Sequence, residues 1–284
     1  MSEGSASADD FCYRHPDRQS FILCQRCGRT ICAECQTPAA VGVHCPECMR
    51  ESRQSAPRTK PAVVTSVRRM AQPGAPLVTY VIMALCVIVF AAEALTGQLV
   101  GRGSPIVSAL LYYPPYTSIE PWRMLTSLFV HGSIIHILFN MYSLFVLGPE
   151  LERLVGRWRF LALFLLSGFG GSVAVLLSSP GSAVIGASGA IFGLFGAYFV
   201  IARHLGGNSR QLIIVIVINL VIGFIVPGIA WQAHVGGLLV GALVAFLLVR
   251  TRDRSRRGIQ LLSLAGVFAL LIGATVAGVQ LIGA

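Results

Sequence analysis

The sequence predicts an all-α polytopic membrane protein with a small Cys/His-rich domain in front of its membrane-spanning part. Three observations predict it. Of 284 residues, 55% are hydrophobic and only 12% are charged, and the mean hydropathy is +0.72, whereas soluble domains average about 25% charged residues. The apolar residues fall into seven long runs, and seven of the eight cysteines lie between Cys12 and Cys48. Together these exclude a soluble enzyme, a disordered regulator and a nucleic-acid-binding domain. The net charge of +10 does not argue for nucleic acid, because from residue 153 onward ten arginines and one acid, Asp253, sit between apolar stretches. A single lysine, Lys60, in a chain rich in Ala, Gly and Val suggests a GC-rich bacterial genome.

The first domain, residues 1–50, opens on polar and acidic residues from Ser2 to Asp10, so no cleavable signal peptide is expected. It contains Cys12-x2-His15, Cys24-x2-Cys27, Cys32-x2-Cys35 and Cys45-x2-Cys48. A two-residue gap lets both side chains converge on one metal, and eight soft ligands suffice for about two tetrahedral zinc sites. With pairs this close in sequence, an interleaved arrangement is expected: the first pair with the third, the second with the fourth. His44, beside Cys45, is an alternative eighth ligand. A reducing cytoplasm disfavours disulfides. About 40 residues hold too little core to fold without metal, so structural zinc is one reading of this module. Binding a protein partner or a substrate's cytoplasmic tail is the other. The module is nearly charge-balanced, so nucleic acid is not an expected partner. Its spacing resembles a B-box-type zinc finger, though shorter and richer in cysteine.

Residues 51–75, rich in Arg, Pro, Ser and Ala, read as a linker. Spans are then predicted at 77–97, 127–149, 159–179, 187–204, 210–228, 231–249 and 259–283, each near the roughly 17–25 residues that cross a bilayer. Cys86, alone in the first run, reads as a packing residue. Arginines cluster after the second span (Arg153, Arg157, Arg159), around the turn after the fourth (Arg203, Arg210) and after the sixth (Arg250 to Arg257). The alternate connections carry few or none. By the positive-inside rule the N-terminal module is cytoplasmic and the C-terminus outside. Spans two, four and six then enter from the outside, with their first turns at one depth.

Those first turns are polar. Span two carries His131, His136 and Asn140; span four opens Gly186-Ala187-Ser188-Gly189; span six opens Trp231-Gln232-Ala233-His234. Polar side chains inside a membrane are costly and mark candidate functional sites. Ser with His is the minimum set for nucleophilic acyl transfer, and Asn with a second His can donate to a developing oxyanion. His136 and Asn140, four apart, share a helix face. No Asp or Glu lies between Glu152 and Asp253, so no carboxylate of spans three to six can orient His234, and a Ser188–His234 dyad is expected. Phe192, one turn below Ser188, could pack on the imidazole. Gly237 and Gly241 lie on the His234 face, and Gly189, Gly193 and Gly196 near Ser188, so spans four and six can approach closely.

These strings, His131-x4-His136-x3-Asn140, Gly186-x-Ser188-Gly189-x3-Gly193 and His234-x2-Gly237-x3-Gly241, resemble the rhomboid intramembrane serine proteases. Trp122-Arg123 and the Glu150/Glu152 to Gly156-Arg157 stretch resemble that family too. The resemblance covers about residues 76–250. It implies a six-helix rhomboid-like core, followed here by a basic loop and seventh span over 251–284. It implies Ser188 as nucleophile and His234 as general base. It makes Asn140, His136 and the Ser188 backbone the oxyanion hole, with Gly186 shaping that hole and Phe192 beneath the catalytic His. It implies a serine endopeptidase of the plasma membrane, without a catalytic cofactor, that cuts transmembrane helices of other proteins near their outer, helix-weakened end. The alternative is a zinc-regulated membrane transporter or scaffold, which would be expected to show internal repeats and mid-bilayer charges.

Overall fold

A computed structural model describes residues 8–39, 42–55, 75–97, 103–207 and 209–283. Most of the predicted linker, and Lys60 and Arg102, lie outside the described residues. The chain divides into two compact units, one within residues 1–66 and one within residues 67–284.

In the first unit β1 (Phe11–Cys12) pairs antiparallel with β2 (His15–Gln19), β3 (Thr37–Pro38) pairs with β4 (Val43–His44), and α1 (Pro46–Ser55) follows. Its buried core is Ile31 with Cys12, Cys24, Cys32, Cys35, Cys45 and Cys48. A core made almost wholly of thiols has little apolar surface to drive folding.

The second unit is helical: α2 (Leu77–Leu95), two short helices α3 (Pro105–Leu110) and α4 (Arg123–Thr126), then α5 (Ile134–Val155), α6 (Arg157–Ser178), α7 (Ser188–His204), α8 (Arg210–Ile225), α9 (Trp231–Arg250) and α10 (Arg257–Ile282). Five of the long helices are apolar and long enough to cross a membrane, which makes this a multi-pass membrane protein. The other two, α7 and α8, have 17 and 16 residues. At 1.5 Å per residue they are about 25 Å long, shorter than the bilayer core. Short segments are tolerated where protein covers their ends.

The second span differs from its expected bounds of 127–149. Ser127–Phe129 is a single 3-10 turn, Ser133 is extended, and its hydroxyl caps α5 by accepting the His136 N–H at 3.2 Å. His131 therefore precedes the helix instead of lying on it. At the other end Pro149 removes one backbone donor, yet the helix continues to Val155 and stops at Gly156, whose φ of 88° suits glycine. The added turn brings Glu152 to the start of α2. There its carboxylate accepts the Val78 and Thr79 N–H groups at 2.9 and 2.7 Å and the Thr79 hydroxyl at 2.8 Å. Those are orphan donors of a helix N-terminus.

α6 is the most buried of those five helices. α7 and α9 cross at backbone contact. A Cβ placed on Gly237 would strike the Gly189 carbonyl, and one on Gly241 the Gly193 carbonyl. Only glycine permits this approach.

Candidate functional site

The close crossing joins the first turns of α7 and α9. His234 Nε2 lies 3.0 Å from Ser188 Oγ, a hydrogen bond of ordinary length. The His234 ring stacks on Phe192, with centroids 4.1 Å apart and planes 9° apart. His234 is 7% exposed, and its Nδ1 has no hydrogen-bond partner among the described residues. A carboxylate is therefore not what holds this imidazole. A Cβ on Gly223 of α8 would sit 3.1 Å from Nδ1, so the ring is held between Phe192 and the backbone of α8.

The first turn of α5 joins the same place. A Cβ on Gly186 would lie 2.5 Å from His136 Nε2, and Gly186 has φ 108°. Both facts demand glycine. The Gly186 N–H donates to the Ser127 carbonyl at 2.9 Å, which fixes the loop just ahead of Ser188. That loop is tied again by Tyr112 and Val184, whose N–H groups donate to each other's carbonyls at 3.0 and 2.8 Å. Arg123, paired with Glu120 at 2.6 Å, donates to the Ser108 and Leu111 carbonyls at 2.6 and 3.2 Å, just ahead of Tyr112.

Asn140 is buried. Its Nδ2 donates to the His136 carbonyl of its own helix at 2.8 Å, and its Oδ1 has no partner. One amide hydrogen remains for another acceptor. His131, fully buried, receives no solvent; its ring lies 5.1 Å from that of His136 and its Nδ1 contacts the Phe129 carbonyl at 3.2 Å. Its backbone N–H faces the buried Glu93 carboxylate of α2 at 3.3 Å. Glu93 and Gly223 are missing from the residues picked out in the sequence. Glu93 carried a readable signal, an acid within an apolar run. Gly223 carried none.

In the small unit, the ligand atoms of Cys12, His15, Cys32 and Cys35 lie within 4.8 Å of one another, as do those of Cys24, Cys27, Cys45 and Cys48. These are the first pair with the third and the second with the fourth. His44 belongs to neither group. His15 Nδ1 is 3.4 Å from Cys32 Sγ and 3.5 Å from Cys35 Sγ, and Cys27 and Cys45 Sγ are 3.8 Å apart. Tetrahedral zinc with bonds of about 2.3 Å to sulfur and 2.0–2.1 Å to nitrogen requires edges of about 3.5 and 3.8 Å, so the donor sets fit. All eight cysteines of the chain are free thiols. The Arg29 guanidinium holds the Cys27 thiol down to about 6, favouring the thiolate a metal needs. Burial and the neighbouring cysteines push Cys48 up to about 12, so a second thiolate here is costly unless a cation offsets its charge.

Comparison with known proteins shows the family. A family model described as the Rhomboid domain matches residues 118–251, from the loop ahead of α4 to the end of α9. The chain is 34% identical to rhomboid protease GluP of Bacillus subtilis over 71% of its own length and 40% of that protein. It is 30% identical to rhomboid protease GlpG of Haemophilus influenzae over 63% of its own length and 94% of that protein. It is 34% identical to RHOMBOID-like protein 2 of Arabidopsis thaliana, over 57% of its own length and 58% of that protein. The chain thus spans less than half the length of GluP.

Proposed function

We propose that this chain, which belongs to the rhomboid family, is an intramembrane serine endopeptidase that cuts transmembrane segments of other proteins with a Ser188–His234 dyad. The observation that carries the reading is the 3.0 Å approach of His234 Nε2 to Ser188 Oγ with the imidazole stacked on Phe192. In this mechanism neutral Nε2 accepts the Ser188 proton as Oγ attacks the scissile carbonyl. His136, the free Asn140 amide hydrogen and the Ser188 backbone N–H donate to the oxyanion, and the helix dipole at the start of α7 favours that charge. Collapse passes the proton from His234 to the leaving amine. Water then attacks the acyl-enzyme by the same route in reverse.

A substrate helix hides its carbonyls in hydrogen bonds, so a segment weakened by Gly or other poor helix formers near its outer end is the preferred target. The arginines at the ends of α6, α7 and α9 support a cytoplasmic N-terminal module and an outer C-terminus, in a bacterial plasma membrane. The module would hold two structural zinc ions, and catalysis needs no cofactor. The test is Ser188→Ala in reconstituted membranes with a reporter transmembrane substrate. Cleavage and fluorophosphonate labelling should both disappear; cleavage that persists overturns the reading.

A further inference from the structure

The far ends of α7 and α9, about 25 Å from Ser188 along the helix axis, carry a second site. A cleft of about 140 Å³ opens there, lined by Arg159, His204 and Arg252 on its polar side and by Leu154, Ile201 and Leu248 among its apolar residues. Its volume is about ten times the roughly 10–15 Å³ needed to hold one water.

Orientation by the positive-inside rule needs only cations somewhere in a loop. It does not need them gathered from three helix ends around one cavity. Nor does it explain how Arg159 is held. Its Nε donates to Gln260 Oε1 of α10 at 2.6 Å. Gln260 in turn donates to the Thr251 carbonyl at 3.1 Å and hydroxyl at 2.9 Å, next to Arg252. Gln260 and Thr251 are both buried, 4% and 6% exposed. A buried amide thus fixes the guanidinium through Nε, Nη1 makes a long 3.5 Å contact with the Val155 carbonyl, and Nη2 is left for a ligand. Among the described residues no carboxylate pairs with Arg159 or Arg252. A fixed guanidinium, a second arginine and no acid describe an anion site, and a guanidinium fork suits phosphate. The apolar wall suits a glycerol or the start of an acyl chain.

We propose that this cleft binds a phosphate group, with the head group of an anionic phospholipid as its source and free phosphate as the competing one. Basic pockets between transmembrane helices are suited to such head groups. The proposal does not depend on the protease reading.

The test uses the full chain purified in a non-ionic detergent. Phosphatidylglycerol, phosphatidylcholine or inorganic phosphate is added at matched ionic strength. Lipid retention is read by native mass spectrometry and stability by thermal midpoint. Wild type should retain phosphatidylglycerol in preference to phosphatidylcholine and gain thermal stability with it. Arg252→Gln, an exposed position without a hydrogen-bond partner, should weaken retention roughly tenfold and leave Ser188 labelling unchanged. Arg159→Gln should do the same if it folds. A thermal gain with inorganic phosphate equal to that with phosphatidylglycerol supports the phosphate site and assigns it to the free anion. Equal retention of both lipids, or retention unaltered in Arg252→Gln with no effect of phosphate, overturns the proposal.

Discussion

In the proposed dyad His234 would work without a carboxylate, and Phe192, stacked on its ring, would take over the orienting role. Stacking at 4.1 Å contributes about 0.5–1.5 kcal/mol beyond area burial. At tenfold per about 1.36 kcal/mol, Phe192→Ala should lower kcat/KM on a reporter substrate roughly 2- to 10-fold, and Phe192→Tyr should stay near wild type because it keeps the ring. A Phe192→Ala enzyme with wild-type kinetics would show that the ring is held otherwise. His234→Ala removes the proposed base and should abolish turnover while the protein remains folded, read by thermal midpoint alongside cleavage. Ser188, His234 and Gly186 were legible because a polar or small residue in an apolar run is conspicuous, and Phe192 because it lies one turn from Ser188. Gly223 was not, since its part lies in which helix backbone comes to rest beside the Nδ1 edge, and a glycine in an apolar helix looks like any packing glycine. The local hydrogen bond of Asn140 to its own helix was equally invisible, because it depends on a rotamer.

Among the elements, the seven apolar runs all became helices, and the second, displaced at both ends, has a reason for its later C-terminus in pairwise contacts. Pro149 removes a backbone donor and Glu150 resists burial, yet the helix runs past both to Val155. The helix goes on because Glu152 is needed at the start of α2. Glu152→Ala should leave the Val78 and Thr79 N–H groups without acceptors at a cost of about 1–3 kcal/mol. A lower thermal midpoint is the expected result, with fluorophosphonate labelling of Ser188 retained below it; an unchanged midpoint would mean water replaces the carboxylate freely. The glycine seam makes a sharper demand. Gly237→Ala would drive a methyl group into the Gly189 carbonyl, and overpacking typically costs about 1–3 kcal/mol. Since the same seam sets the Ser188–His234 distance, labelling should fall further than stability does. Equal losses would indicate a packing role alone.

At the scale of the molecule, the two units are stabilised by different physics. The membrane unit satisfies its backbone within helices and packs a broad apolar core. The small unit buries six cysteines and Ile31, so under the zinc proposal its folding free energy would come largely from metal–thiolate bonds. Its pairing was legible from spacing alone, whereas its two short hairpins were not, because strands of two residues leave no periodic pattern. Metal analysis of the reduced, purified chain should find about two zinc ions, and His44→Ala should retain both, since His44 lies in neither group. Cys27→Ser should lose one. A strong chelator should then unfold residues 8–55, seen as loss of protection in hydrogen exchange, while Ser188 labelling and the exchange of α6 and α7 stay unchanged. That outcome follows if each unit has a core of its own. Labelling that falls in step with zinc removal would instead mean that the metal module controls the protease.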